Sequence, residues 1–109
     1  MIFSNYQQLA ARTSESSSTI QDLIHAALGI QSEGGEFADA LKKHFYYNQR
    51  LDTDNLEEEL GDLLWYISLA ATALYIPLDR IAEGNINKLK KRYPDKFSSQ
   101  AAIERVDKK

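Results

Sequence analysis

From Leu63 to Leu78 the chain carries no charged side chain. A run of 16 residues falls short of the ~20 that a membrane span needs, and it contains Ser68 and Thr72 and reaches Pro77. A helix that is apolar on every side has to be buried on every side. A chain of 109 residues has few other elements with which to surround it. The run therefore predicts a helical protein that covers itself with further copies. No strand-like alternation persists, and only Pro77 and Pro94 break the pattern. The expected fold is all-α: a four-helix bundle around an antiparallel helical hairpin, assembled as a homodimer or as a dimer-of-dimers tetramer. Trp65, Leu69 and Thr72 are expected at the contact between chains.

The expected helices follow from periodicity and caps. A short helix over residues 4 to 13 has Ser4 as its candidate N-cap, and Ser14 to Ser18 reads as a polar link, so residues 1–18 form a helix and linker. The second helix is expected from Thr19, where Thr19-Ile20-Gln21-Asp22 resembles a capping box. Ile20, Leu23, Ile24, Ala27, Ile30, Phe37, Leu41 and Phe45 then recur at helical spacing. Residues 46 to 53 read as the hairpin loop, and Asp54 as the cap of the third helix, with Glu57 three residues on. Pro77 suits the first turn of a fourth helix that stops before Pro94. Residues 95–109 read as a loosely held polar tail. The whole chain, 1–109, is expected to be one domain.

Charge and cysteine usage narrow the function. The net charge of −3 argues against binding a nucleic-acid polymer, which takes a basic face. There is no cysteine, so disulfides and thiolate metal sites are excluded. The opening Met1-Ile2-Phe3-Ser4-Asn5-Tyr6 lacks a basic stretch followed by an apolar core, so no signal peptide is expected. The expected compartment is the cytoplasm, with no membrane partner.

The chemistry lies in two pairs of acids: Glu33 with Glu36, and Glu59 with Asp62. Residues three apart share a helix face, so each pair aims two carboxylates at one patch of space. A lone pair of this kind is usually a solvated face. Glu33, however, falls between Ile30 and Phe37, at the edge of the apolar stripe, where lone acids are rarely placed. Two such helices facing each other would converge four carboxylates, which repel unless a cation joins them. Oxygen donors without Cys or His favour Mg²⁺, Mn²⁺ or Ca²⁺. A di-iron bundle would need Glu-x-x-His, and no His stands three residues after any Glu. His25 and His44 belong to neither acid pair. Small residues in the row Ala26, Gly29, Glu33, Glu36, Ala40 would leave room for a ligand. Tyr66 lies one turn beyond Asp62, either as a core aromatic or as a contact for a ligand. Lys88 and Arg92 are i and i+4, so one face can present both cations to an anionic ligand, with Asn85 and Asn87 as polar partners.

The segments 29–37, Glu58-Glu59-Leu60-Gly61-Asp62-Leu63-Leu64-Trp65-Tyr66 and Asn87-Lys88-Leu89-Lys90-Lys91-Arg92-Tyr93-Pro94 resemble the three motifs of the MazG-like all-α nucleotide pyrophosphohydrolases. The likeness covers about residues 19 to 98. The chain departs from the pattern at Ser32, where members often carry a further Glu, and at Gly34 and Gly35. The resemblance implies a MazG-like bundle that splits a nucleoside triphosphate, with a deoxyribonucleotide as our expectation, between the α and β phosphates. It implies Mg²⁺, or Mn²⁺, held by Glu33, Glu36, Glu59 and Asp62. Glu33 and Glu36 are the expected catalytic acids, with Glu36 to orient or deprotonate water. Lys88 and Arg92 would steady pyrophosphate. Such enzymes are commonly thought to clear unwanted nucleotides from the pool. The alternative is a non-catalytic helical oligomerisation module that holds a structural cation.

Overall fold

The structure is a computed structural model that describes residues 1–15 and 18–108. The serine-rich link expected over 14–18 therefore lies partly outside the described residues. The described chain is all-helical: α1 (Phe3–Ala11), α2 (Thr19–Tyr47), α3 (Thr53–Ala73), α4 (Leu78–Arg92) and α5 (Ser99–Glu104), with a 3₁₀ turn over Val106–Lys108.

Helix α2 starts where Ser18, in extended backbone, accepts the Gln21 N–H at 3.2 Å. The cap is thus one residue earlier than the expected Thr19, because Ser18 is the last residue outside the helix. In the same way Asp52, not Asp54, caps α3 by accepting the Asn55 N–H at 3.1 Å. Helix α1 begins at Phe3 with no side-chain cap, so Ser4 lies inside its first turn. Asn48 closes α2 in the left-handed region (φ 54°), and the Gln49 N–H returns to Lys43 O at 3.1 Å. Left-handed termination of this kind satisfies the last carbonyls of a helix. The loop that remains, residues 48 to 52, is short enough to fold α3 back along α2, and this hairpin is the main packing of the chain.

Helix α1 lies across α3 and against the start of α4. Gln7 fastens it: its Nε2 donates to Thr72 Oγ1 (3.2 Å) and Ile76 O (3.0 Å), and its Oε1 accepts the Leu78 N–H (2.9 Å). Trp65 Nε1 donates to Thr13 Oγ1 at 2.8 Å, and Leu69 is buried. Of the face expected to meet another chain, Leu69 is thus buried within one chain, while Trp65 and Thr72 touch α1 but keep exposed surface. The uncovered face of α3 is the other one. Leu60, Ile67 and Leu74 are exposed there at a seven-residue spacing, and on α2 Ile20, Ile24 and Leu28 are exposed at a four-residue spacing.

At Tyr75, where φ is 58°, the chain leaves α3, and α4 departs at 103° to it. A four-helix bundle is thus not closed within one chain. The tail is more ordered than its composition suggests: α5 and the 3₁₀ turn fold back so that Arg92 grips Asp107 with two hydrogen bonds, at 2.9 and 3.2 Å. The buried apolar core is thin: Ala26, Leu69, Ala71, Ala73 and Leu78. The radius of gyration is 17.0 Å, against about 13 Å for a compact domain of this length. The accessible surface is 8328 Å², against about 6,100 Å² for a folded monomer of this mass. Among the described residues no single helix is long and apolar enough to cross a membrane.

Candidate metal centre and nucleotide site

The hairpin brings α2 and α3 together with their acids facing. One carboxylate oxygen each from Glu33, Glu59 and Asp62 lies within 4.8 Å of the others. That is the span of donors around one divalent ion, whose opposed oxygens stand about 4 to 5 Å apart. Glu59 is buried, Glu33 is half-buried, and Glu36 and Asp62 are exposed. The Oε2 atoms of Glu33 and Glu59 are fully buried without a hydrogen-bond partner. Buried carboxylate oxygens left in this state are costly, and a hard cation satisfies both. The residues present therefore fit a divalent cation.

The electrostatics agree. The Glu59 carboxyl is pushed up to about 7, first by the Glu33 carboxyl set against it, then by burial and by the nearby Glu36. Without a cation, a proton takes the place of one positive charge between carboxylates that cannot all ionise at close range. A cation competes with that proton. Glu36 is close enough to act on Glu59 but stands outside the converging trio, so it has the freest carboxylate of the four.

Beside the acids, the row of small residues is not empty. The ring of Tyr66 fills the space at Gly29, where an added Cβ would fall on the ring carbons. The same ring stands edge-on to His25 (5.5 Å) and Trp65 (5.1 Å). Tyr66 is thus packed in the hairpin seam. Room remains on the Ala40 side. There an open cleft of about 360 Å³ starts at Glu36 and Glu59 and ends at the α2–α3 loop, with Lys43, Arg50 and Asn55 in its wall. Lys43 pairs with Asp39 at 2.8 Å, a contact that lowers the Asp39 carboxyl and raises the lysine.

The basic segment is elsewhere. Lys88, Asn85 and Asn87 are on α4, and the helix rise and the 103° turn put Lys88 roughly 20 Å from Asp62 in the same chain. Arg92 is engaged with Asp107. One chain does not bring these four residues to the acids. Two groups near the acids escaped the sequence reading. Tyr6 of α1 approaches Asp62; its phenol is raised by burial and then by the Asp62 charge. No local signal announces it, because α1 is a separate element. Arg50 could have been found by counting: Glu59 is about two turns from the start of α3, so the loop lies within an arginine's reach of it.

Converging oxygen donors on two facing helices define an all-helical carboxylate centre for a hard cation. Residues 21–97 match the family model of the MazG nucleotide pyrophosphohydrolase domain, and the chain belongs to that family. It is 33% identical over 78 residues, 68% of each chain, to the Gene 37 protein of Mycobacterium phage L5. No solved structure matches it significantly.

Proposed function

We propose that the protein is a Mg²⁺-dependent nucleoside triphosphate pyrophosphohydrolase that converts a deoxynucleoside triphosphate to its monophosphate and pyrophosphate, clearing unwanted nucleotides in the cytoplasm. Mn²⁺ would serve in place of Mg²⁺. The observation that carries this reading is the buried, unpartnered oxygen of Glu59, converged with Glu33 and Asp62. Glu33, Glu59 and Asp62 would hold the ion, with Glu36 at its edge. When bound, the ion neutralises phosphate charge and makes nearby water more acidic.

Glu36 is suited to take the proton of the attacking water, since its carboxylate stands outside the converging trio. The water oxygen forms a new bond to phosphorus, the bridging P–O bond between the α and β phosphates breaks, and pyrophosphate leaves. Glu33 faces Glu59 across the helix pair, so the two would share the ion. Tyr66, packed one turn away, would form a firm apolar wall for a sugar lacking its 2′-hydroxyl.

The protein is further proposed to work as a homodimer or a dimer of dimers. Its surface exceeds that of a compact monomer by about 2,000 Å², the amount an obligate interface hides. The seven-residue spacing of Leu60, Ile67 and Leu74 suits a helix seam. Lys88, Asn85 and Asn87 would then meet the acids from a second copy, and Arg92 would have to leave Asp107 to join them.

A panel of nucleoside triphosphates with Mg²⁺, scored separately for pyrophosphate and orthophosphate, tests the reaction. Pyrophosphate release should stop with EDTA and fall by most of its rate in Glu33→Gln, Glu36→Gln, Glu59→Gln and Asp62→Asn. Release of orthophosphate and a diphosphate would refute it. Metal-dependent stabilisation with no turnover would leave a structural-cation module instead.

A further inference from the structure

We propose that the cleft between the acid cluster and the α2–α3 loop seats the terminal phosphates of the substrate, with Arg50 as their cationic contact. The inference rests on the pyrophosphohydrolase reading and adds to it where the leaving group lies. Three observations carry it.

The first is position. Glu36 and Glu59 form one end of the cleft and Arg50 the other, so a phosphate chain on an ion held by the acids can extend directly to the arginine. Glu59 is 9% exposed and lines this cleft while belonging to the acid cluster, so the cleft and the cluster are continuous through one side chain.

The second is availability. Lys43 is already tied to Asp39, and on α4 Arg92 is tied to Asp107. Arg50 has no ion pair among the described residues, although four acids share the cleft with it: Glu36, Asp39, Asp52 and Glu59. Asp39 is taken by Lys43, and Asp52 accepts the Asn55 N–H. An unpaired guanidinium with a planar fork of donors is the group that grips phosphate oxygens in pairs.

The third is rigidity. The backbone that carries Arg50 is pinned on both sides. His44 Nδ1 donates to Gln49 O at 2.9 Å, the Gln49 N–H returns to Lys43 O, and Asp52 caps α3. A cation presented on a fixed backbone loses less freedom when a ligand arrives.

The test uses the intact protein with Mg²⁺. Calorimetry is run with inorganic pyrophosphate and, separately, with a deoxynucleoside monophosphate, on wild type, Arg50→Gln and Arg50→Lys. Arg50→Gln is expected to weaken pyrophosphate at least tenfold and to leave the monophosphate within twofold. Arg50→Lys should recover part of the loss. In turnover, Arg50→Gln should raise KM by a similar factor and change kcat less. Pyrophosphate affinity within twofold of wild type in Arg50→Gln, equal weakening of both ligands, or no pyrophosphate binding by wild type overturns the proposal. If wild type binds pyrophosphate through Arg50 yet hydrolyses no nucleotide, the cleft stands and the proposed reaction falls.

Discussion

Gly29→Ala sets two opposed effects against each other at one atom. Alanine in place of a mid-helix glycine favours α2 by about 0.8–1.0 kcal/mol. Against that, the new Cβ would lie on the ring of Tyr66, so the ring has to leave the seam. Overfilling a packed site costs about 1–3 kcal/mol. Moving the ring also breaks its edge contacts with His25 and Trp65, each worth about 0.5–1.5 kcal/mol. The clash wins, and the expected net loss is about 3 kcal/mol. Urea unfolding at fixed protein concentration measures it, because assembly makes stability concentration-dependent. A Tyr66→Ala background is the control. With the ring gone only the helix preference remains, so Gly29→Ala should then stabilise by up to about 1 kcal/mol. The sign of the effect reverses between the two backgrounds. If Gly29→Ala stabilises the protein with Tyr66 present, the ring is not in the seam and the site is bounded differently.

Two further outcomes are expected. Glu59 has its folded-state pKa raised from 4.5 to about 7, so its contribution to stability is fully present below pH 4.5 and is lost as the pH rises to about 7. Asp39 and Asp107 are lowered and titrate below that window. In EDTA the Tm should therefore fall from pH 5 to pH 8; Mg²⁺ should restore most at pH 8, and Glu59→Gln should flatten the slope. A Tm in EDTA that climbs across this range would contradict the shared-proton picture. Ile67→Lys, on the uncovered face of α3, should give a helical but smaller species by light scattering, whereas Leu69→Lys, buried under α1, should unfold the chain. An unchanged particle size for Ile67→Lys would remove the proposed seam.

What could be read from sequence followed from local physics. The two acid pairs, the helix hairpin and the breaks near Pro77 and Pro94 all depend on spacing within about two turns. Caps were displaced by one or two residues because Ser18 and Thr19, or Asp52 and Asp54, are chemically equivalent candidates; only the backbone angle decides which is outside the helix. The neighbour of Leu69 is a different matter. An apolar helix face states that something covers it, not what. At Leu69 the cover is within one chain, next to α1, which the side chain of Gln7 fastens through contacts about seventy residues apart, and periodicity carries no trace of these. The same holds for Tyr66, whose place at Gly29 depends on the relative register of α2 and α3.

The acid cluster owes its properties to where it falls along α3. Glu59 and Asp62 are the last acids before the charge-free stretch, three residues apart on one helix, yet one is buried and the other exposed. Glu59 is directed into the seam, where Glu33 meets it and Glu36 bears on it, so it competes for a proton. Asp62 lies open, with Tyr6 of α1 as a neighbour. The boundary position gives one carboxylate that is strained without a cation and one through which a ligand can enter. That difference between the two acids, more than their number, is what a site that must bind and release a charged substrate requires.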